Sequence, residues 1–268
     1  MIKFELLRFA WQELWVGMML IIGSEGSILI DTAEKGAIEQ CIIPALIEEG
    51  KSINDVKLVI NTHSHGDHVN CNKSINKLCN AKFASYNLNS AKHHSLNPDI
   101  NLKDKSSLQL GNINIEIIHT SGHSPDSICI LETNTKMLFC GDSFQGFGID
   151  VIGVPLVPDP TSYIKSVEKI QKLRSENKIE RMYLGHAMRN SDGVLVGKEI
   201  DRFLEDCKLA MTICKSIAIE CSKLPKDAQV DAFLEKFKAK PTKAWEKLSR
   251  DFAKRYIKIF TQTTSQCL

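Results

Sequence analysis

The segment Asn61-Thr62-His63-Ser64-His65-Gly66-Asp67-His68 places three histidines and an aspartate within six residues. It directly follows Val56 to Ile60, a short and mostly apolar run that predicts a buried strand. Site residues gather where a strand of an α/β fold ends in a loop. Neutral imidazole and carboxylate are ligands that borderline divalent metals prefer. Because burying these side chains together without a metal would be costly, the segment predicts a metal site.

The spacing of the ligand types suits two ions. His63 and His65, an i, i+2 pair in a tight turn, can converge on one ion, and the next pair, Asp67 and His68, can turn towards a second. Further potential ligands follow three other predicted strands, each directly after a glycine, which favours a tight turn. These residues are His123, Asp142 and His186. Seven potential ligands at four strand ends are enough for two metals that share one carboxylate.

The composition is that of an ordinary globular protein, with 43% apolar and 25% charged residues among 268. A net charge of +2 indicates no particular macromolecular partner. The apolar run Leu14 to Ile22 is too short to span a bilayer and lacks the pattern of a secretory signal, so no membrane association is expected. The nine cysteines are odd in number and scattered without a CxxC pair, which favours reduced thiols in the cytoplasm.

Strands and helices alternate over roughly the first 190 residues, and hairpins mix with crossovers, which predicts a layered α/β domain with mixed sheets. Residues 94–106 and the Gly/Pro-rich stretch Gly146 to Pro160 are predicted to be loops. His93 and His94 are interpreted as solvated side chains rather than ligands.

The strand signal stops after Lys198, and apolar residues then recur at helical spacing. Pro241 is expected to open the last helix. We therefore predict a catalytic domain over residues 1–198 and a helical extension over residues 199–268.

These motifs, in this order, resemble the metallo-β-lactamase superfamily, whose signature is an HxHxDH segment followed by a His, an Asp and a final His. The resemblance covers roughly residues 16–190. It implies an αββα four-layer sandwich with the site at one edge of its two sheets, followed here by a C-terminal helical extension. In the family pattern one metal is held by His63, His65 and His123, the other by Asp67, His68 and His186, and Asp142 bridges the two.

The resemblance also implies supporting residues and a reaction. Asp31, at the end of an early hairpin, resembles the family's first motif, an aspartate that orients the metal-binding loop. His119 is interpreted as a buttress of the site. Two divalent ions, zinc in preference to iron or manganese, would share a bridging hydroxide that attacks a polarised substrate. Asp67 is the candidate catalytic residue, which would orient the hydroxide and shuttle its proton.

The sequence leaves the substrate open. Glyoxalase-II-like and lactonase-like relatives imply a small-molecule ester, thioester or lactone, although Gln145 stands where the lactonases have Tyr and Ala187 follows the final His where glyoxalase-II-type enzymes have Glu. A second interpretation is a phosphodiesterase, because ribonuclease-Z-like enzymes share the form His-Gly-Asp-His. A third is an oxidoreductase resembling the persulfide dioxygenases, which hold a single iron.

The substrate pocket and the partners are predicted from the apolar residues. The apolar faces of the C-terminal helices must pack on the α/β domain, on each other or across a homodimer interface. We expect the last helix to roof the site, and the candidate pocket residues are Phe144, Phe147, Phe252 and Tyr256. A nucleic acid partner is not expected, since the lysine cluster from Lys236 to Lys247 is explained by a solvated helix face.

Overall fold

The computed structural model describes residues 1–86, 97–189 and 191–262, so His93 and His94 lie outside the described residues. Within these ranges the strands form two six-stranded sheets, each with its strands side by side in chain order. The first sheet contains β1 (Lys3–Trp11), β2 (Leu14–Gly23), β3 (Gly26–Ile30), β4 (Val56–Ile60), β5 (Lys82–Tyr86) and β6 (Ile100–Leu102). The second contains β7 (Ser107–Leu110), β8 (Ile113–His119), β9 (Ile128–Glu132), β10 (Met137–Phe139), β11 (Arg181–Tyr183) and β12 (Val194–Val196).

Helices cover the outer face of each sheet. A short π-helical turn at Ile38–Ile42 leads into α1 (Ile43–Glu48), a 3-10 turn at Ile53–Asp55 leads into β4, and the remaining helices follow in chain order. They are α2 (Gly66–Val69), α3 (Asn72–Leu78), α4 (Pro160–Ser175), α5 (Lys198–Cys221), α6 (Gln229–Phe237) and α7 (Glu246–Gln262).

Strand direction brings the ends of several strands to one edge of each sheet. β3 and β4 are parallel, so Asp31 and Asn61, the residues that follow them, leave the first sheet side by side. In the second sheet β8 and β10 both run antiparallel to β9, and β11 is parallel to β10. The segments after β8, β10 and β11 therefore leave that sheet at a common edge, which is where an α/β fold places its site.

The core has three layers. Met19, Ile21 and Ile28 of the first sheet meet Ile117 and Ile130 of the second in the layer between the sheets. The alternate residues of β2 face the short helices on the outer side of the first sheet, as the period of two in a strand requires. The outer side of the second sheet packs on α4, α5, α6 and α7 in one continuous cluster. Each fully buried aliphatic side chain contributes about 1.5–3 kcal/mol to this packing.

This architecture confirms the αββα sandwich with C-terminal helices that the sequence predicts. It also adds strands that the pattern did not reveal: β1 is a half-exposed edge strand, and β6 and β12 are only three residues long. The predicted loop at residues 94–106 therefore contains a strand, and α7 begins at Glu246 rather than at Pro241. The division of the chain at residue 198 stays a prediction.

The described residues include no helix that is both long enough and apolar enough to cross a membrane. The eight cysteines in the described ranges are free thiols, and most of them are buried.

Candidate metal centre

Asp31 holds the histidine-rich segment in place. Its carboxylate is fully buried and accepts hydrogen bonds from the Thr62 backbone N–H at 2.8 Å and from the Thr62 hydroxyl at 2.7 Å. It also contacts Nδ1 of His68 at 2.8 Å. Since Asp31 lies at the end of β3 and Thr62 follows β4, the pairing of two parallel strands sets the position of the ligand loop. This arrangement supports the orienting role proposed for Asp31.

The glycines before the candidate ligands allow close approach of the chain. Gly141 has a φ of +47°, and a Cβ built there would lie 2.4 Å from Oγ1 of Thr62. A Cβ on Gly185 would lie 2.4 Å from Oδ1 of Asp142. Only glycine avoids both clashes, so Asp142 and His186 can approach the loop after β4.

His63, His65 and His123 form a first triad. Nδ1 of His65 lies 3.1 Å from Nε2 of His63 and 2.9 Å from Nε2 of His123. The opposite nitrogens have partners: Nδ1 of His63 contacts the Thr62 hydroxyl at 3.1 Å, and Nδ1 of His123 donates to the Leu156 carbonyl at 2.8 Å. These partners leave the Nε2 lone pairs of His63 and His123 free to converge on one point.

Asp67, His68 and His186 form a second triad. Oδ2 of Asp67 lies 3.2 Å from Nε2 of His186 and 3.7 Å from Nε2 of His68. Nδ1 of His186 donates to the Trp15 carbonyl at 2.8 Å, and Asp31 holds Nδ1 of His68. The two Nε2 atoms are therefore oriented towards the carboxylate of Asp67.

Asp142 lies between the two triads. Its Oδ1 is 3.3 Å from Nε2 of His68, and its Oδ2 is 3.3 Å from Nε2 of His186 and 3.6 Å from Nε2 of His123. Nε2 of His68 and Oδ1 of Asp142 are buried and close to each other, yet neither makes a hydrogen bond of normal geometry, to the other or to any atom in the described part of the chain. Buried polar atoms of this kind are normally satisfied, so the unpartnered imidazole and carboxylate atoms fit a divalent metal.

Two of the three histidines of the first triad have lowered pKa values. Burial lowers the pKa of His63 well below its usual value, and the neighbouring His68 and His65 lower it further. Burial, followed by the electrostatic interaction with the neighbouring His123, lowers the pKa of His65 to about 4.

The second triad is an ion-pair network in the absence of a metal. Burial acts to lower the pKa of both its histidines, but Asp142 and Asp67 outweigh it and raise the pKa of His186 to about 10 and that of His68 well above its usual value. Burial acts to raise the pKa of Asp67, but His68 and His186 outweigh it and lower that pKa to about 2. The pKa of Asp142 is held well below its usual value in the same way.

A cavity of about 330 Å³ opens onto this cluster, and mostly apolar walls rise from a floor of candidate ligands. The walls come from three separate parts of the chain. They are Trp11 and Leu14 at the turn between β1 and β2; Ile149, Ile152, Leu156 and Pro158 after Asp142; and Trp245, Leu248, Phe252 and Arg255 in and before α7.

Among the four predicted pocket residues, Phe252 lines this cavity and the other three do not. Phe144 is fully buried, and its ring centroid lies 6.1 Å from that of Tyr163. Phe147 packs against Phe237. Tyr256 is fully buried and donates its hydroxyl to the Pro155 carbonyl at 2.8 Å. The last helix therefore lines the cavity with the face that carries Phe252. The helical pattern of the sequence alone could not identify which face this would be.

Two residues near the site, His119 and Gln145, differ in whether they contact the candidate ligands. His119 stacks on Tyr86, and its Nε2 contacts the Pro125 carbonyl, so its contacts within the described residues do not include a candidate ligand. Gln145, in contrast, is fully buried, and its side-chain amide reaches Nδ1 of His123 at 3.2 Å, the Asp142 carbonyl and the Leu156 N–H. Gln145 therefore helps to position the segments that carry His123 and Asp142. In the sequence, only its place three residues after Asp142 could have indicated this role.

Comparison with known proteins gives a consistent family. A sequence model of the metallo-beta-lactamase superfamily matches residues 17–186. A probable metallo-hydrolase from Methanocaldococcus jannaschii is 30% identical over 186 residues, which is 62% of this chain and 85% of that protein. A hydroxyacylglutathione hydrolase from Francisella tularensis subsp. novicida is 32% identical over 124 residues, 46% of this chain. The match spans only 47% of that relative's length.

Solved structures agree on the fold. A metallo-beta-lactamase family protein from Thermus thermophilus superposes with a TM-score of 0.73 at 16% identity, covering 97% of this chain and 94% of the other. A subclass B3 metallo-beta-lactamase from Bradyrhizobium japonicum superposes with a TM-score of 0.59 at 19% identity, covering 81% of this chain and 96% of the other. The first of these similarities extends over the C-terminal helices as well as the sandwich.

Proposed function

The chain belongs to the metallo-beta-lactamase superfamily. We propose that it is a hydrolase that uses two divalent metal ions, zinc in preference to iron or manganese, to cleave an ester, thioester or lactone bond of a small molecule. The observation that carries this proposal is the pair of triads with Asp142 between them. Bound there, the metals would supply Lewis acidity for the scissile carbonyl and a nucleophilic water at neutral pH.

The residues of this chain would divide the remaining work. His63, His65 and His123 would hold one metal, Asp67, His68 and His186 the other, and Asp142 would bridge them. The carboxylate of Asp67 is part-exposed at the cavity floor, where it would orient the attacking water and carry its proton to the leaving group. The apolar walls would exclude bulk water and bind the non-reacting part of the substrate.

The cavity favours a small molecule over a nucleic acid. Its volume lies near the lower end of the usual range for small-molecule sites. None of the lysines between Lys236 and Lys247 lines it, and Lys236 is paired with Glu220 at 2.6 Å. A phosphodiester backbone would need a basic surface next to the metals, so the phosphodiesterase interpretation remains the second candidate.

A substrate screen on the zinc-loaded protein tests the proposal. Thioesters, including S-lactoylglutathione, aryl esters, lactones, β-lactams and bis(p-nitrophenyl) phosphate should be compared with the Asp67→Asn variant and the chelated protein as controls. We expect carbonyl substrates to be hydrolysed and the phosphodiester to react more slowly. Hydrolysis of the phosphodiester alone would support the nuclease-like alternative. One bound iron with oxygen consumption on a persulfide would support the dioxygenase alternative.

The free thiols of the described cysteines support a reducing compartment for this enzyme, and we propose the cytoplasm.

A further inference from the structure

One wall of the catalytic cavity carries a cation that the metal chemistry does not use. Among the cavity-lining residues, Arg255 of α7 is the charged side chain that is not a candidate metal ligand. Its guanidinium lies 5.7 Å above the ring of Phe252. The described part of the chain contains no ion pair or hydrogen bond to this guanidinium. Arg250, five residues earlier on the same helix, is instead paired with Asp231 at 2.6 Å.

Three aromatic side chains line the same cavity as this cation. Trp11, at the turn between β1 and β2, and Trp245, just before α7, meet edge to face with ring centroids 5.7 Å apart, and both line the cavity with Phe252. The indole N–H of Trp245 is buried and lacks an acceptor among the described residues.

We propose that Trp11, Trp245, Phe252 and Arg255 form a subsite for a substrate whose apolar body ends in a carboxylate. The proposal rests on the proposed function, since it places the scissile carbonyl at the metal centre. The apolar body lies along the aromatic side chains, which gain most from covering flat apolar surface. The carboxylate pairs with Arg255, whose planar guanidinium matches a carboxylate through two parallel hydrogen bonds. The Phe252 ring beneath the guanidinium holds it at the cavity wall.

Two isosteric probes test the subsite. They are the N-acetylcysteamine thioesters of para-carboxyphenylpropionic acid and of its para-carboxamide analogue, which share shape and reacting bond and differ in charge. On the zinc-loaded protein we expect kcat/KM for the carboxylate to exceed that for the carboxamide by about ten-fold, as a charge-assisted pair in a part-exposed cavity allows. Arg255→Gln should reduce this ratio to near one, mainly through KM, and Arg255→Lys should restore part of it. Arg250→Gln is the matched control on the same helix and should keep the wild-type ratio.

Failure of the subsite is distinguishable from failure of the proposed function. Equal hydrolysis of both thioesters by the wild type, or a ratio that Arg255→Gln leaves unchanged, would overturn the subsite while leaving the hydrolase proposal intact. If neither thioester is hydrolysed, calorimetry with the product dicarboxylic acid and its monoamide decides instead. Tighter binding of the dicarboxylate that is lost in Arg255→Gln supports the subsite, and equal binding of the two products refutes it.

Discussion

The two triads at the metal centre differ in charge although they share one carboxylate. In the first, the pKa values of His63 and His65 are lowered, and the ring nitrogens of His63, His65 and His123 face one another at 2.9–3.1 Å. The second contains Asp67 and two histidines whose pKa values are raised by Asp142 and Asp67. A metal at the second triad must therefore displace protons from His68 and His186, whereas His63 and His65 of the first triad have no proton to displace. We infer that the first metal equivalent binds at the first triad.

The largest effect is expected from Asp142→Ala, which removes the contact between the triads. Asp142 lies within 3.6 Å of Nε2 atoms from both. We expect zinc content to fall from two equivalents to one or fewer, and kcat/KM to fall about a thousand-fold, because several kcal/mol of metal-derived stabilisation are lost. Elemental analysis after gel filtration, together with the thioester assay, measures both. Two retained metals would show that the triads do not depend on a shared ligand.

Asp67→Asn should separate chemistry from metal binding. An amide keeps an oxygen near Nε2 of His186, at the 3.2 Å position of the carboxylate, but loses the negative charge that takes up a proton. We expect kcat to fall about a hundred-fold or more, as for loss of a general base, with a smaller loss of zinc from the second triad. Zinc content and kcat measured on one preparation test this prediction. If kcat stays near the wild-type value on the best substrate, the proton-carrying role of Asp67 is wrong.

Asp31→Asn and Thr62→Val form a matched pair that addresses the triads separately. Asp31 contacts Nδ1 of His68 directly, whereas the Thr62 hydroxyl contacts Nδ1 of His63. Loss of such a supporting hydrogen bond typically weakens metal affinity by about 10- to 100-fold. Competitive titration with a chromophoric chelator should show Asp31→Asn weakening mainly the second equivalent and Thr62→Val mainly the first. Equal weakening of both equivalents by either variant would show instead that the hydrogen bonds between Asp31 and Thr62 couple the two sites.

The smallest effect is in proton release on metal binding. At pH 8 the second triad is protonated, since the pKa of His186 is about 10 and that of His68 is also raised, so its metal must displace about two protons. The pKa of His65 is about 4 and that of His63 is lowered well below its usual value, so these two ligands of the first triad are already deprotonated. Affinity of the second equivalent should therefore rise with pH more steeply than that of the first. Calorimetry in buffers with different ionisation enthalpies counts the protons, and equal release for both equivalents would contradict the comparison.

The fold was largely predictable because its strands alternate or form short apolar runs and its turns carry glycine. Val56 to Ile60 was predicted with its observed bounds, and each glycine before a candidate ligand lies at a close approach of the chain. β1 escaped prediction because it is an edge strand with charged, half-exposed residues, and β12 because it has only three residues. A short strand is defined by its hydrogen bonds to a neighbour, which no local pattern contains.

The identity of the seven candidate ligands and their order were determined by the sequence itself, because imidazole and carboxylate beside glycine at a strand end carry their own chemical signature. The tertiary structure alone decided what supports and surrounds them. His186 is held by the carbonyl of Trp15, 171 residues away, and a backbone carbonyl has no signature in a sequence. Likewise, Trp11 and Arg255 share a cavity wall only because the first hairpin and the last helix pack over the same sheet edge. Ligand chemistry is local, whereas orientation and substrate selection depend on contacts between distant segments, and only folding brings those segments together.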